Sequence, residues 1–89
     1  MLNPVRQARK AKGLTIKEFA VVLGVPYSAV SGVETGLLTQ IPATWEAGMT
    51  KLGMDYQAMQ KAYMEWRNLK GMAILEDVQY GNQAKKPKA

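Results

Sequence analysis

Eighty-nine residues with a net charge of +5 and 47% apolar side chains suit one small domain, and are too apolar for a disordered chain. Cysteine and histidine are both absent, which excludes disulfides, thiolate metal sites and imidazole chemistry. No apolar run approaches the ~18 residues that span a membrane, and the first residues form no signal peptide, so a reducing cytoplasm is the expected compartment.

Taken in chain order, the first element is a helix over residues 4–12. Asn3 is its cap and Pro4 occupies the first helical position, where the missing N–H is harmless. Val5, Ala8 and Ala11 share its inner face. The next stretch, residues 15–36, carries the most information. Thr15 and Glu18 have the T-x-x-E spacing of a capping box, and Leu14 and Phe19 sit where a hydrophobic staple closes. Ile16, Phe19, Ala20 and Leu23 then recur on one helical face, over residues 16–23. Gly24 stops this helix, because glycine enters the left-handed region freely. Val25-Pro26 restarts the chain, and Val30 and Val33 mark a third helix over residues 27–34. Ala20 is small where two helices must cross closely. Two short helices around such a turn pack at roughly 90–120°, as a helix-turn-helix.

A loop over residues 35–41 leads to a fourth helix predicted from Pro42 to Leu52, with Ile41, Trp45, Met49 and Leu52 at helical spacing. Gly48 weakens it by up to ~1 kcal/mol relative to alanine, and is expected to admit a neighbouring helix. Gly53 closes this helix and Asp55 caps the fifth, with Met54 and Met59 as its staple. Helix five continues through Tyr56, Met59, Tyr63 and Trp66, and Gly71 is expected to interrupt it. Residues 72–80 form a last apolar patch, either helix or short strand. Residues 81–89 read as a flexible basic tail. The expected organisation is one domain over 1–80, with the helix-turn-helix at about 15–36 and a dimerisation region at about 42–80.

Leu14-Thr15-Ile16-Lys17-Glu18-Phe19-Ala20, Leu23-Gly24-Val25 and Val30-Ser31-Gly32-Val33-Glu34-Thr35-Gly36 together resemble the helix-turn-helix of lambda-type repressors, Cro proteins and their bacterial and plasmid relatives. Residues 5–13 are similar to that family's first helix, and residues 52–55 to the start of its fifth. The resemblance extends over roughly residues 2–67. It implies an all-α, compact five-helix, lambda-repressor-like domain of the xenobiotic-response-element type. It also implies a transcriptional regulator that binds double-stranded DNA and lives with the nucleoid.

In that family the third helix enters the major groove and its exposed side chains meet base edges. Carried over, those positions are Tyr27, Ser28, Ala29, Ser31, Gly32 and Thr35. None of them is the Arg, Lys, Asn or Gln that makes bidentate base contacts. Ile16 stands where many relatives carry a glutamine that braces the reading helix. Sequence reading is therefore expected to be weak or shape-based, or this surface serves a protein partner instead. The charge is segregated: Arg6, Arg9, Lys10, Lys12 and Lys17 precede any acid, Lys85, Lys86 and Lys88 follow the last one, and the middle is mildly acidic. Two basic ends suit a polyanion, although surface lysines also confer solubility. Lys17, Arg6 and Lys10 are the candidate phosphate contacts, with a solvated helix face as the plain alternative for each. Arg9 is expected to pair with Glu34, as a helix-one cation does in similar family members.

Tyr56, Met64, Trp66 and Met72 are more large apolar side chains than a monomer of this size is expected to hide. A homodimer through Met59, Tyr63, Trp66, Met72 and Leu75 follows, with Trp66 as anchor. Neither an enzyme nor a cofactor-binding or metal-binding protein is expected, since no nucleophile–base pair, glycine-rich phosphate loop or ligand cluster is visible. An operator-binding dimer from a phage, plasmid or mobile element is thus the sequence-based expectation. The alternative is an antirepressor or inhibitor that keeps the fold and binds a protein.

Overall fold

Five α-helices, joined by short turns, dominate residues 2–81, which the computed structural model describes. Helix α1 spans Pro4–Ala11, α2 Ile16–Leu23, α3 Tyr27–Glu34, α4 Glu46–Lys51 and α5 Tyr56–Glu76. Each end has a local cause. The Val5 and Arg6 N–H groups donate to Asn3 Oδ1 at 2.9 and 3.2 Å. The Thr15–Glu18 capping box is closed from both sides, at 2.9 and 3.1 Å. Gly24 ends α2 with φ of +69°, a conformation that glycine enters without a steric penalty. The Ala58 N–H donates to the Asp55 carboxylate at the start of α5.

The core lies where all five helices converge. Val5, Phe19, Val30, Val33, Ile41, Trp45, Met49 and Tyr63 are wholly shielded from solvent. Burying a Val, Ile, Phe or Met side chain stabilises the fold by about 1.5–3 kcal/mol. Phe19 meets Trp45 edge to face, with ring centroids 5.9 Å apart, joining α2 to the turn before α4. Gly48 acts as the sequence anticipates. A Cβ there would stand 2.9 Å from the Leu23 Cα, so the absent side chain lets α4 lie on the backbone of α2.

Several expectations are corrected. Helix four does not begin at Pro42: a 3-10 turn over Ala43–Trp45 comes first, closed by the Trp45 N–H on the Pro42 carbonyl, and the α-helix starts at Glu46. Gly71 does not interrupt helix five. The helix runs unbroken from Tyr56 to Glu76 and passes into a π-helical turn over Asp77–Gly81, so residues 72–80 are not a strand. Around Gly71 there is open space, and a glycine that nothing crowds has no partner to bend the helix. Tyr56, Tyr63 and Trp66 prove to be core residues of the single chain. The lysines of the tail, and residues 82–89 generally, lie outside the described residues.

Candidate nucleic-acid interface

The interface begins with the angle between α2 and α3, which is 114°, inside the range the turn sequence implies. The Val25 N–H donates to the Ala20 carbonyl at 3.0 Å, folding the turn back onto α2. Helix α3 starts after Pro26, and no side chain caps it. Pro26, Tyr27 and Ser28 are exposed at this end, where the positive end of the helix dipole favours anions.

Two polar clamps fix the far end of α3 to α1. Asn3 Nδ2 donates to the carbonyls of Val33 and Glu34, both at 3.0 Å, while its oxygen caps α1. Arg9 grips the Glu34 carboxylate with Nε at 2.6 Å and Nη2 at 3.0 Å, and its Nη1 donates to the Leu14 carbonyl at 2.7 Å. Both side chains of this ion pair are more than nine-tenths buried. The Glu34 hydrogen bond outweighs desolvation and raises the Arg9 guanidinium above its ordinary value. The expected Arg9–Glu34 pair is present and ties three elements together.

The predicted reading residues divide. Tyr27 and Ser28, at the start of α3, are exposed, and Tyr27 keeps 53% of its surface in solvent. Thr35 is exposed at the helix end, with its hydroxyl donating to the Gly32 carbonyl at 3.3 Å. Ser31 is half-buried, and Ala29 packs against the core. Gly32 is a correction: it is buried, and a Cβ there would stand 3.3 Å from Leu38 Cγ. The Leu37 and Leu38 N–H groups both donate to its carbonyl, so Gly32 is the point where the chain folds back under α3. Helical periodicity cannot reveal this, because the covering residue arrives from outside the helix.

Lys17 is exposed in the first turn of α2, and Arg6 and Lys10 are exposed on α1. Arg6 and Lys10 line one shallow groove with Leu2, Asn3, Gln7 and Glu34, beside the C-terminal end of α3. Arg6 and Lys10 thus flank the helix-turn-helix on the α1 side, and Lys17 lies within it.

The predicted dimer residues divide as well. Tyr63 and Trp66 face inward, at 0% and 7% exposure, and Met59 packs against the core. Trp66 is hidden by Gly36: a Cβ there would come within 2.9 Å of the indole ring. The anchor expected at a subunit interface is therefore spent inside one chain. Met72 and Leu75 remain at 56% and 55% exposure, lining a groove with Met64, Arg67, Asn68, Gly71 and Thr39. No single helix among the described residues is long and apolar enough to cross a membrane.

The sequence model of the family described as Helix-turn-helix matches residues 5–44, which are α1, α2, α3 and the following segment. This segment carries a helix-turn-helix of the lambda-repressor/Cro-like type. No curated protein and no solved structure gives a significant match. The family is one of DNA-binding transcription regulators, and the chain is a DNA-binding regulator in that general sense.

Sequence reasoning missed one set of residues. Tyr56, Gln60, Tyr63 and Arg67 lie on one side of α5 at intervals of three or four, and each donates to a carbonyl between Gly36 and Ile41. The only signal was polar groups recurring at helical spacing beside Met59 and Trp66.

Proposed function

We propose that the chain acts as a homodimer on operator-type DNA, with α3 in the major groove, in the cytoplasm of a cell carrying a phage, plasmid or mobile element. The observation that carries this reading is the 114° turn, which leaves the uncapped start of α3 outward with Tyr27 and Ser28 beside it. Tyr27, Ser28 and the exposed edges of Ser31 and Thr35 supply what base contact there is. With no bidentate donor among them, discrimination comes from apolar contact with thymine methyls and from DNA shape. Lys17, Arg6 and Lys10 contact phosphates, which position the protein without specifying sequence. Lys85, Lys86 and Lys88, outside the described residues, add positive charge that favours a polyanion.

The dimer forms through the outer face of α5, with Met72 and Leu75 at its centre and Met64 beside them. An exposed apolar patch on a small domain commonly marks an interface. Two-fold pairing sets two reading helices about 34 Å apart, one turn of DNA. Selection of bound sequences from random duplexes, followed by mobility shift across a salt series, tests the assignment. A recovered site with two-fold symmetry is expected, with about −0.9 in the log–log salt slope for each phosphate neutralised. No shift of any duplex at micromolar protein and low salt would refute it.

A protein-binding inhibitor is the second reading. It is favoured by the apolar surface near the turn, where Val21 is 80% exposed beside exposed Val22 and Tyr27. Weak retention on heparin, with capture of one protein that Tyr27→Ala abolishes, distinguishes it from DNA binding.

A further inference from the structure

The carbonyls of the segment that follows α3 are met by side chains of one helix, α5. Ile41 exchanges two hydrogen bonds with the Gln60 amide, at 2.8 and 2.9 Å, and its carbonyl also accepts from the Tyr56 hydroxyl at 2.7 Å. The Tyr63 hydroxyl donates to the Leu38 carbonyl at 2.7 Å. Arg67 Nε donates to the Gly36 carbonyl at 2.9 Å. These donors climb α5 as the segment descends toward α3, so the last rung falls on Gly36, two residues past the end of α3.

Gly36 is held twice. Its φ of +82° turns the chain out of α3, and the Trp66 ring fills the place of its missing side chain. Trp66 is itself braced by Tyr63, with ring centroids 5.8 Å apart, and covered by Lys70 at 5.0 Å from its ring. One turn of α5 thus grips the C-terminal end of α3, while Asn3 and Arg9 grip it from the α1 side. Arg67 occupies a second place as well: it lines the groove with Met64, Asn68, Gly71, Met72 and Leu75. A single side chain therefore touches the α3 terminus and the outer face of α5.

We propose that Arg67 is a positioning residue for DNA recognition, setting the pitch of α3 through the Gly36 carbonyl. The proposal rests on α3 being the DNA-reading helix. The charge assistance of a guanidinium–carbonyl hydrogen bond makes it stronger and more directional than a neutral contact. A reading helix that lacks bidentate donors depends more than usual on exact placement, because apolar and single hydrogen-bond contacts fall away within fractions of an ångström. Arg67 acts from behind the helix, so it should affect which sequence is preferred more than how many phosphates are neutralised.

The test compares the full-length wild type with Arg67→Met and Arg67→Gln, at a temperature well below melting. Affinity is measured for the duplex selected by the wild type and for mixed-sequence duplex, each across a salt series, with thermal melting and sedimentation alongside. Both variants should lose about tenfold on the selected duplex and at most about threefold on mixed sequence, with an unchanged salt slope. Arg67→Lys, which keeps a donor of similar reach, should restore part of the preference. If Arg67→Met does not fold, Arg67→Gln decides the matter alone, since it retains a polar stem but cannot span to Gly36. Equal losses on both duplexes, with the slope reduced by about 0.9, would make Arg67 a phosphate contact and overturn the positioning role. An unchanged preference in a folded variant would overturn it too. A wild type that selects no duplex would overturn the reading beneath it, an outcome visible before any variant is compared.

Discussion

The helix-turn-helix and the outer half of α5 are both helical, yet they are held in opposite ways. In the first, short helices of eight residues are tied at their ends by Asn3, Thr15, Glu18, Arg9 and Glu34, and Gly24 fixes the turn. In the second, a helix of 21 residues runs past the core and carries Met72, Ile74 and Leu75 into solvent. Short helices are marginal alone and need caps and tertiary contacts. A long helix can sustain its own hydrogen bonds, and its apolar face is then available to a partner. Polar side chains supply rigidity in the first region, and apolar ones stand exposed in the second.

The largest expected effect breaks the first region. Glu34→Ala strands the Arg9 guanidinium without its partner, so it should cost about 3–5 kcal/mol in urea-induced unfolding. Replacing both residues with apolar ones of similar size should recover most of that loss, because no buried charge is then left unpaired. A single-variant cost under about 1 kcal/mol would mean that the clamp contributes little to the rigid half.

Next come the two close-packed glycines. Gly48→Ala places a methyl against the Leu23 Cα and the Val22 carbonyl oxygen, both backbone, which cannot swing aside. Gly36→Ala meets the Trp66 ring and must also hold φ of +82°. Each should lower stability by about 2–3 kcal/mol in thermal melting. Tolerance of either would show that the neighbouring helix can slide.

Leu75→Glu probes the other region. It should weaken self-association about tenfold or more in sedimentation, because a charge enters an apolar contact, while altering monomer stability by less than about 0.5 kcal/mol. Trp66→Ala should instead lower monomer stability by about 3–5 kcal/mol, whatever the oligomeric state. A variant at Leu75 that melts early would place that residue in the core after all.

Burial raises the phenols of Tyr56 and Tyr63 above their ordinary value. The unfolded chain releases these protons near pH 10, the folded chain later, so the unfolded state binds fewer protons and stability falls as pH rises past about 10. Tyrosinate absorbance from both residues should appear together with loss of helical circular dichroism. The smallest effect is Gly71→Ala. With open space around that position and an ordinary helical backbone, it should stabilise α5 by about 0.5–1 kcal/mol.

Local signals determined much of this protein. The ends of α1, α2 and α3 follow from Asn3, Pro4, the Thr15–Glu18 box, Gly24 and Pro26, because caps and glycine turns act over three or four residues and need nothing distant. The need for a small residue at Gly48 was legible for a similar reason: glycine inside a helix is unfavourable unless something lies against it. The family resemblance, and the Arg9–Glu34 pair it implied, lay within the matched segment. What only the tertiary structure decided was which face of each element stays dry. Gly32 is hidden by Leu38 and Trp66 by Gly36, so a base contact and a dimer anchor became packing residues. Gly71 looked like a break and is not one, since a glycine alone costs less than the hydrogen bonds of the long helix around it. The carbonyls of Gly36, Leu38 and Ile41 find their donors on α5, 15 to 31 residues away, and a pairing at that separation leaves no periodic trace in the sequence.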